Sequence, residues 1–192
     1  MTSPQLMMNA LRSFREGLFE STPVLVVFRS LLWDLARRRL YFGDEPEDAW
    51  LSSYERNLTL AVSSLQGELR LSRLAKTQDN LVLVADYGCW DDLPRSFCAD
   101  PTRPSQSRLV QRAAAVVIST GKRLGVPVAD LDVAFAPRWK ELLLAEPRFV
   151  PSLHTNASVY HHPNGAGTRI EWHLVRTAHL AKVKNERRRL VQ

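Results

Sequence analysis

Residues 105–173, SQSRLVQRAAAVVISTGKRLGVPVADLDVAFAPRWKELLLAEPRFVPSLHTNASVYHHPNGAGTRIEWH, decide how this chain is read. Over 106–124, Leu109, Ala113, Val116, Val117 and Leu124 share one helical side, with Arg108, Arg112 and Lys122 elsewhere and Gly125 as the stop. Pro127 opens a short second helix over 128–135. Pro137 cannot sit in an unbroken helix interior, so it opens a third over 137–146, with Pro147 and Pro151 beyond its end. Two strands are expected at 157–162 and 168–175, around the turn PNGAG, because Asn-Gly is a strong hairpin signal.

Helix, short helix, third helix and hairpin, in that order, fit a winged helix-turn-helix. The joint at Ala136 is shorter than the usual roughly three to four residues. The reading helix would present Arg138 and Lys140 but also Glu141 and Glu146, which phosphates repel. Residues 176–192 then end the chain as a basic helix or an extended arm.

Working back from 105, the stretch 88–107 is rich in turn formers and reads as a connecting loop. LVLVADY at 81–87 suits either a short buried strand or a helical segment, which periodicity alone does not separate. Residues 46–66 carry Trp50, Tyr54, Leu58, Ala61 and Leu65 at helical spacing, with acidic residues crowding the first turn. Residues 22–42 show the same logic, with Thr22 as cap, Pro23 at the first helical position, and Arg37, Arg38 and Arg39 before the stop at Gly43. Residues 4–19 give a further amphipathic helix. The expected fold is mainly α. An N-terminal helical hairpin or bundle spans 1–87, a linker 88–107, and a helical unit with a β-hairpin and basic tail 108–192.

Charge is unevenly divided. Residues 1–100 hold 11 Lys and Arg against 14 Asp and Glu, whereas residues 167–192 hold 7 against 2, within a net +6 for all 192 residues. Such a division favours a polyanion at one end and leaves the other for a protein partner. No apolar run is long enough for a membrane span, because Arg29 and Asp34 interrupt the best candidate. The first residues lack the layout of a secretory signal, and two cysteines make no disulfide framework, so a cytoplasmic protein is expected. Cys89 and Cys98 also lack the short spacing of common zinc sites. There is no Gly-rich phosphate loop, no nucleophile elbow and no paired metal motif.

The expected function is a non-enzymatic nucleic-acid-binding accessory protein, one subunit of a larger nucleoprotein complex. Backbone contacts to DNA or RNA would come from Arg169, Arg176, Lys182, Lys184, Arg187, Arg188 and Arg189, with Trp172 stacking on bases. A protein partner would dock on the N-terminal helices, and Asp86, Asp91, Asp92 and Asp100 would form an acidic patch. No membrane partner, cofactor, metal ligand or catalytic residue is assigned. All five histidines fall between His154 and His179, and HHPNGAGTRIEWHLVRTAHLAK resembles the ββα-metal nucleases. That resemblance implies a metal-dependent nuclease with His161 or His162 as general base, although the family's second-strand Asn and a nearby Asp are lacking. A third reading is a protein-interaction module, an inhibitor or adaptor whose basic tail meets an acidic protein.

Overall fold

LVLVA at 81–85 resolves as a buried strand whose alternate residues enter two different apolar clusters. The computed structural model describes residues 25–29, 46–71, 80–88, 90–91, 105–150 and 154–190. In chain order the elements are β1 (Val26–Phe28), α1 (Glu47–Leu71), β2 (Leu81–Ala85), β3 (Trp90–Asp91) and α2 (Ser105–Leu124). They continue as β4 (Val128–Asp130), α3 (Asp132–Phe135), α4 (Trp139–Leu142), β5 (Glu146–Val150), β6 (Thr155–Tyr160) and α5 (Gly165–Leu190). One sheet has the order β1-β2-β4 with both pairings parallel, and a second has the order β3-β6-β5 with both antiparallel.

All five β2 residues are buried, as expected of a central parallel strand covered on both faces. Alternation splits them: Leu81, Leu83 and Ala85 join one cluster, and Val82 and Val84 another. The first cluster is completed by Trp50, Tyr54, Leu58, Val62, Leu65 and Leu69 of α1 and by Leu109, Ala113 and Val117 of α2. The second holds Tyr87, Phe135, Leu142, Leu143 and Tyr160, with Val175 from α5. Each fully buried Leu or Val stabilises the fold by about 1.5–3 kcal/mol. The central sheet therefore separates two apolar layers.

The helix α1 follows the expected 46–66 closely, and its Trp50 and Tyr54 rings stack 5.2 Å apart in the core. The helix α2 ends as foreseen at Gly125, whose φ of 66° suits a residue without Cβ. Val126 N–H then donates to the Gly121 carbonyl at 2.9 Å, closing the last turn. Gly121 itself has to be small, because a Cβ there would lie 2.3 Å from Val128 of β4.

The mainly α expectation is overturned by these two sheets. Val26–Phe28 is a strand within the segment expected to be the helix 22–42, so no hairpin with α1 forms through it. Apolar residues at i, i+3 and i+4 occur in any unbroken apolar run, and VLVV is β-branched-rich. The rest of 22–42, and the expected helix 4–19, lie outside the described residues.

The winged helix-turn-helix is likewise corrected. Residues 128–130, expected in its second helix, are β4, paired with β2 from Leu83↔Val128 to Ala85↔Asp130. The third helix shrinks to the single turn Trp139–Leu142, and Glu146 and Pro147 lie in β5 instead. Pro147 is tolerated because β5 is an edge strand. The wing is absent among the described residues. β6 takes the first of its two strands but pairs with β5 and β3, while 168–175 belongs to α5. Asn164 explains this change. Its Oδ1 accepts the N–H of Ala166 at 2.9 Å and of Gly167 at 3.0 Å, capping a helix instead of turning a hairpin.

Candidate functional site

Because β1, β2 and β4 run parallel, their C-terminal ends share one edge, where ligands of open parallel sheets commonly bind. Arg29 follows β1, Asp86 and Tyr87 follow β2, and Asp130 closes β4. The Arg29 guanidinium grips Asp86 with two hydrogen bonds, Nε to Oδ2 at 2.9 Å and Nη2 to Oδ1 at 2.6 Å. Its third nitrogen, Nη1, donates to Glu171 Oε1 of α5 at 3.2 Å. Asp86 is fully buried, and its Oδ1 also accepts the Tyr87 backbone N–H at 3.0 Å. The expected acidic surface patch is thus corrected at Asp86, which is an internal ion-pair partner.

The electrostatics follow from burial around one shared cation. Burial alone would lower the Arg29 pKa, but the Asp86 hydrogen bond and charge outweigh it, and the guanidinium is held above its ordinary value. Burial, and then the Glu171 charge, push the Tyr87 hydroxyl upward against the opposing pull of Arg29. Burial also raises the Glu171 carboxyl, with Arg29 opposing and Asp86 reinforcing the shift. Beyond β4, burial and the neighbouring Asp130 raise Asp132.

Tyr87 joins this edge to a second group. Its hydroxyl donates to the His161 carbonyl at 3.3 Å, at the exit of β6. Residues 161–164 are fixed on the other side as well: Leu144 N–H donates to the His162 carbonyl at 2.8 Å, and Asn164 N–H to the Leu142 carbonyl at 2.9 Å. Asn164 Nδ2 adds a bond to the Glu141 carbonyl at 2.7 Å. The β5–β6 register sets Glu146 opposite Val159, so its carboxylate lies on the neighbouring strand near the histidine pair. Glu146 Oε1 is hydrogen-bonded to His162 Nδ1, and Oε2 lies 3.7 Å from His161 Nε2. A carboxylate on Nδ1 orients the imidazole and leaves Nε2 as the base. The His162 side chain is 60% exposed, so the imidazole can be approached from solvent. Glu146, His161 and His162 each also offer a donor atom within 4.8 Å of the others, a set able to ligate a metal ion.

Of the residues assigned from sequence, Arg169, Trp172, Arg176, Lys184 and Arg188 are exposed on α5, and Lys182 is half-buried there. The side chains of Arg187 and Arg189 lie outside the described residues. Among those described, none joins the Arg29–Asp86–Glu171 cluster or the Glu146–His162 pair. His161 and His162 do reach the site, but their setting is not that of a ββα-metal nuclease, because α5 follows them where a second strand was required. Arg29, Asp86, Tyr87, Glu146 and Glu171 were not foreseen. A signal did exist for the sheet edge: VVFR, LVLVAD and VAD each end an apolar run on a charged residue.

No family model and no curated protein matches the sequence. Among solved structures, the chain is similar to an α/β hydrolase enzyme from the metagenome of Lake Arreo, Spain, at 16% identity and a TM-score of 0.48, over 92% of this chain and 66% of that one. It is also similar to a GDSL-like lipase from Bacteroides thetaiotaomicron VPI-5482, at 18% identity and a TM-score of 0.40, over 91% of this chain and 71% of that one. The chain thus spans just under two thirds of the first structure's length. The expected role of a non-enzymatic nucleic-acid-binding accessory protein is corrected, because the winged helix-turn-helix in which it was set does not form among the described residues: 128–130 is strand and 168–175 is helix. Among the described residues no helix is long and apolar enough to cross a membrane.

Proposed function

We propose that this chain is a hydrolase in which His162, oriented by Glu146, acts as general base at the C-terminal edge of the parallel sheet. The observation that carries the reading is the Glu146–His162 hydrogen bond beside the Arg29–Asp86–Tyr87 edge. In hydrolysis of an ester-like bond, His162 Nε2 takes the proton of the attacking hydroxyl as the new C–O bond forms. Glu146 stabilises the resulting imidazolium, which then returns the proton to the leaving oxygen as the scissile bond breaks. Arg29 forms part of the wall, since its nitrogens already hold Asp86 and Glu171. The sparse cysteines support a cytoplasmic setting for this activity.

Turnover of p-nitrophenyl acetate and butyrate tests the proposal, with His162→Ala and Glu146→Gln as the variants. General-base assistance is worth about 10²–10⁴-fold, so His162→Ala should lose that factor in kcat/KM and Glu146→Gln a smaller one. Turnover that is equal in the parent and His162→Ala proteins, or absent from the parent, would sink the reading. A fluorophosphonate probe followed by peptide mapping separates direct attack by water from attack by a protein hydroxyl. Ser30, which follows Arg29 in the sequence and lies outside the described residues, is the first residue to inspect in that map.

A further inference from the structure

We propose that Glu146, His161 and His162 form a binding site for a zinc-class divalent cation, and that the cation silences hydrolysis by capturing the base and its carboxylate. The silencing rests on the hydrolase reading above, whereas the binding does not. One donor atom from each of the three side chains lies within 4.8 Å of the other two. Zinc ligands at about 2.0–2.2 Å from the metal stand roughly 3.4 Å apart in a tetrahedron, so modest side-chain rotations complete the site. Two imidazoles and a carboxylate suit zinc and its neighbours in the transition series. Calcium and magnesium prefer oxygen alone.

A base needs one imidazole, and this carboxylate has two within reach. Glu146 turns one oxygen to each: Oε1 bonds His162 Nδ1, and Oε2 stands 3.7 Å from His161 Nε2, beyond ordinary hydrogen-bond length. The His161 and His162 ring centroids are only 3.9 Å apart. The backbone that carries them is held before any ion arrives, by the Tyr87 hydroxyl on the His161 carbonyl and the Leu144 N–H on the His162 carbonyl. His162 is mostly exposed, which gives an ion a route in and leaves room for water as a fourth ligand. A cation between Glu146 and His162 replaces their hydrogen bond, and the imidazole is no longer poised to take a proton.

The test uses untagged full-length protein. Cobalt(II) is titrated while its visible absorption is followed, zinc(II) is bound in competition with a chromogenic chelator, and ester turnover is measured with and without zinc. One ion per chain is expected, with zinc displacing cobalt. Substitutions near a metal typically cost 10–100-fold in affinity, so His161→Gln should weaken binding by at least about tenfold. Glu146→Gln, read by binding alone, gives a second variant if His161→Gln does not keep the parent circular dichroism. Substoichiometric zinc binding, or affinity unchanged in both variants, would overturn the site. Zinc that binds without slowing turnover would overturn the silencing. Stoichiometric, His161-dependent binding by a chain with no turnover at all would uphold the site and remove the hydrolase reading instead.

Discussion

Arg29→Met should destabilise the fold more than Asp86→Asn, although both break the same ion pair. The asymmetry comes from burial: the Asp86 side chain is 0% exposed and that of Arg29 is 32% exposed. Removing Arg29 strands a buried carboxylate that keeps the Tyr87 N–H as a donor, and breaking a buried pair in this way costs about 3–5 kcal/mol. Removing the Asp86 charge leaves Arg29 with water and with Glu171 at 3.2 Å. That change loses a charged hydrogen bond, about 1.5–3 kcal/mol. The double variant should then be more stable than the sum of the single losses implies, with a coupling of about 1–3 kcal/mol. Urea unfolding followed by circular dichroism measures all four proteins, and comparable m-values would confirm that only native stability has changed. The reasoning fails if Arg29→Met costs less than about 1 kcal/mol, or if Asp86→Asn is the worse of the two. Either result would mean that water reaches the Asp86 carboxylate.

Asn164→Ala should lower stability by about 1 kcal/mol through the lost cap, read as a fall in the urea midpoint. It should also lower ester turnover, since Asn164 ties the histidine loop to the Glu141 carbonyl. Gly167→Ala should cost about 1–3 kcal/mol by overpacking, because a Cβ there would lie 2.2 Å from the Leu142 carbonyl oxygen. Thermal unfolding of that variant gives the check, and an unchanged midpoint would contradict the close helix seating. Glu171→Gln should change how stability depends on pH. Burial raises the Glu171 carboxyl above its ordinary 4.5, so the native chain holds that proton more tightly than the unfolded one. Its stabilising contribution is complete below that value and is lost as pH rises through the raised one, so the parent-minus-variant stability should decline from about pH 4 upward.

What the sequence shows well are the elements with a single signal. The helix α1 has one apolar stripe and an acidic first turn, and α2 has a stripe and a glycine stop; both fold as read. Segments with two competing signals were misread. Val24, Val27 and Phe28 satisfy helical spacing only because the run around them is continuously apolar, as a buried parallel strand requires. Asn164-Gly165 fits a hairpin turn and equally a helix N-cap, and the side-chain bonds to Ala166 and Gly167 decide for the cap. The basic residues of α5 made its second half look like a nucleic-acid arm, while Val175 on the same helix is 4% exposed in the core. Charge counted along the chain says nothing about which side of a helix faces inward.

The candidate site was harder to read for a different reason, which is that no local stretch contains it. Glu146 and His162 are sixteen residues apart and meet through the β5–β6 pairing. Arg29 and Asp86 are fifty-seven apart and meet because β1 and β2 are parallel neighbours. The helix α5 joins the two groups. Its cap, Asn164, belongs to the histidine loop, Gly167 allows its first turn to press on Leu142, and Glu171 one turn later reaches Arg29. Seating that helix fixes the His162 backbone and brings Glu171 to the sheet edge in one step. A perturbation of its first turn should therefore disturb both groups together, whereas a change at Lys184 or Arg188, several turns away on the exposed side, should disturb neither.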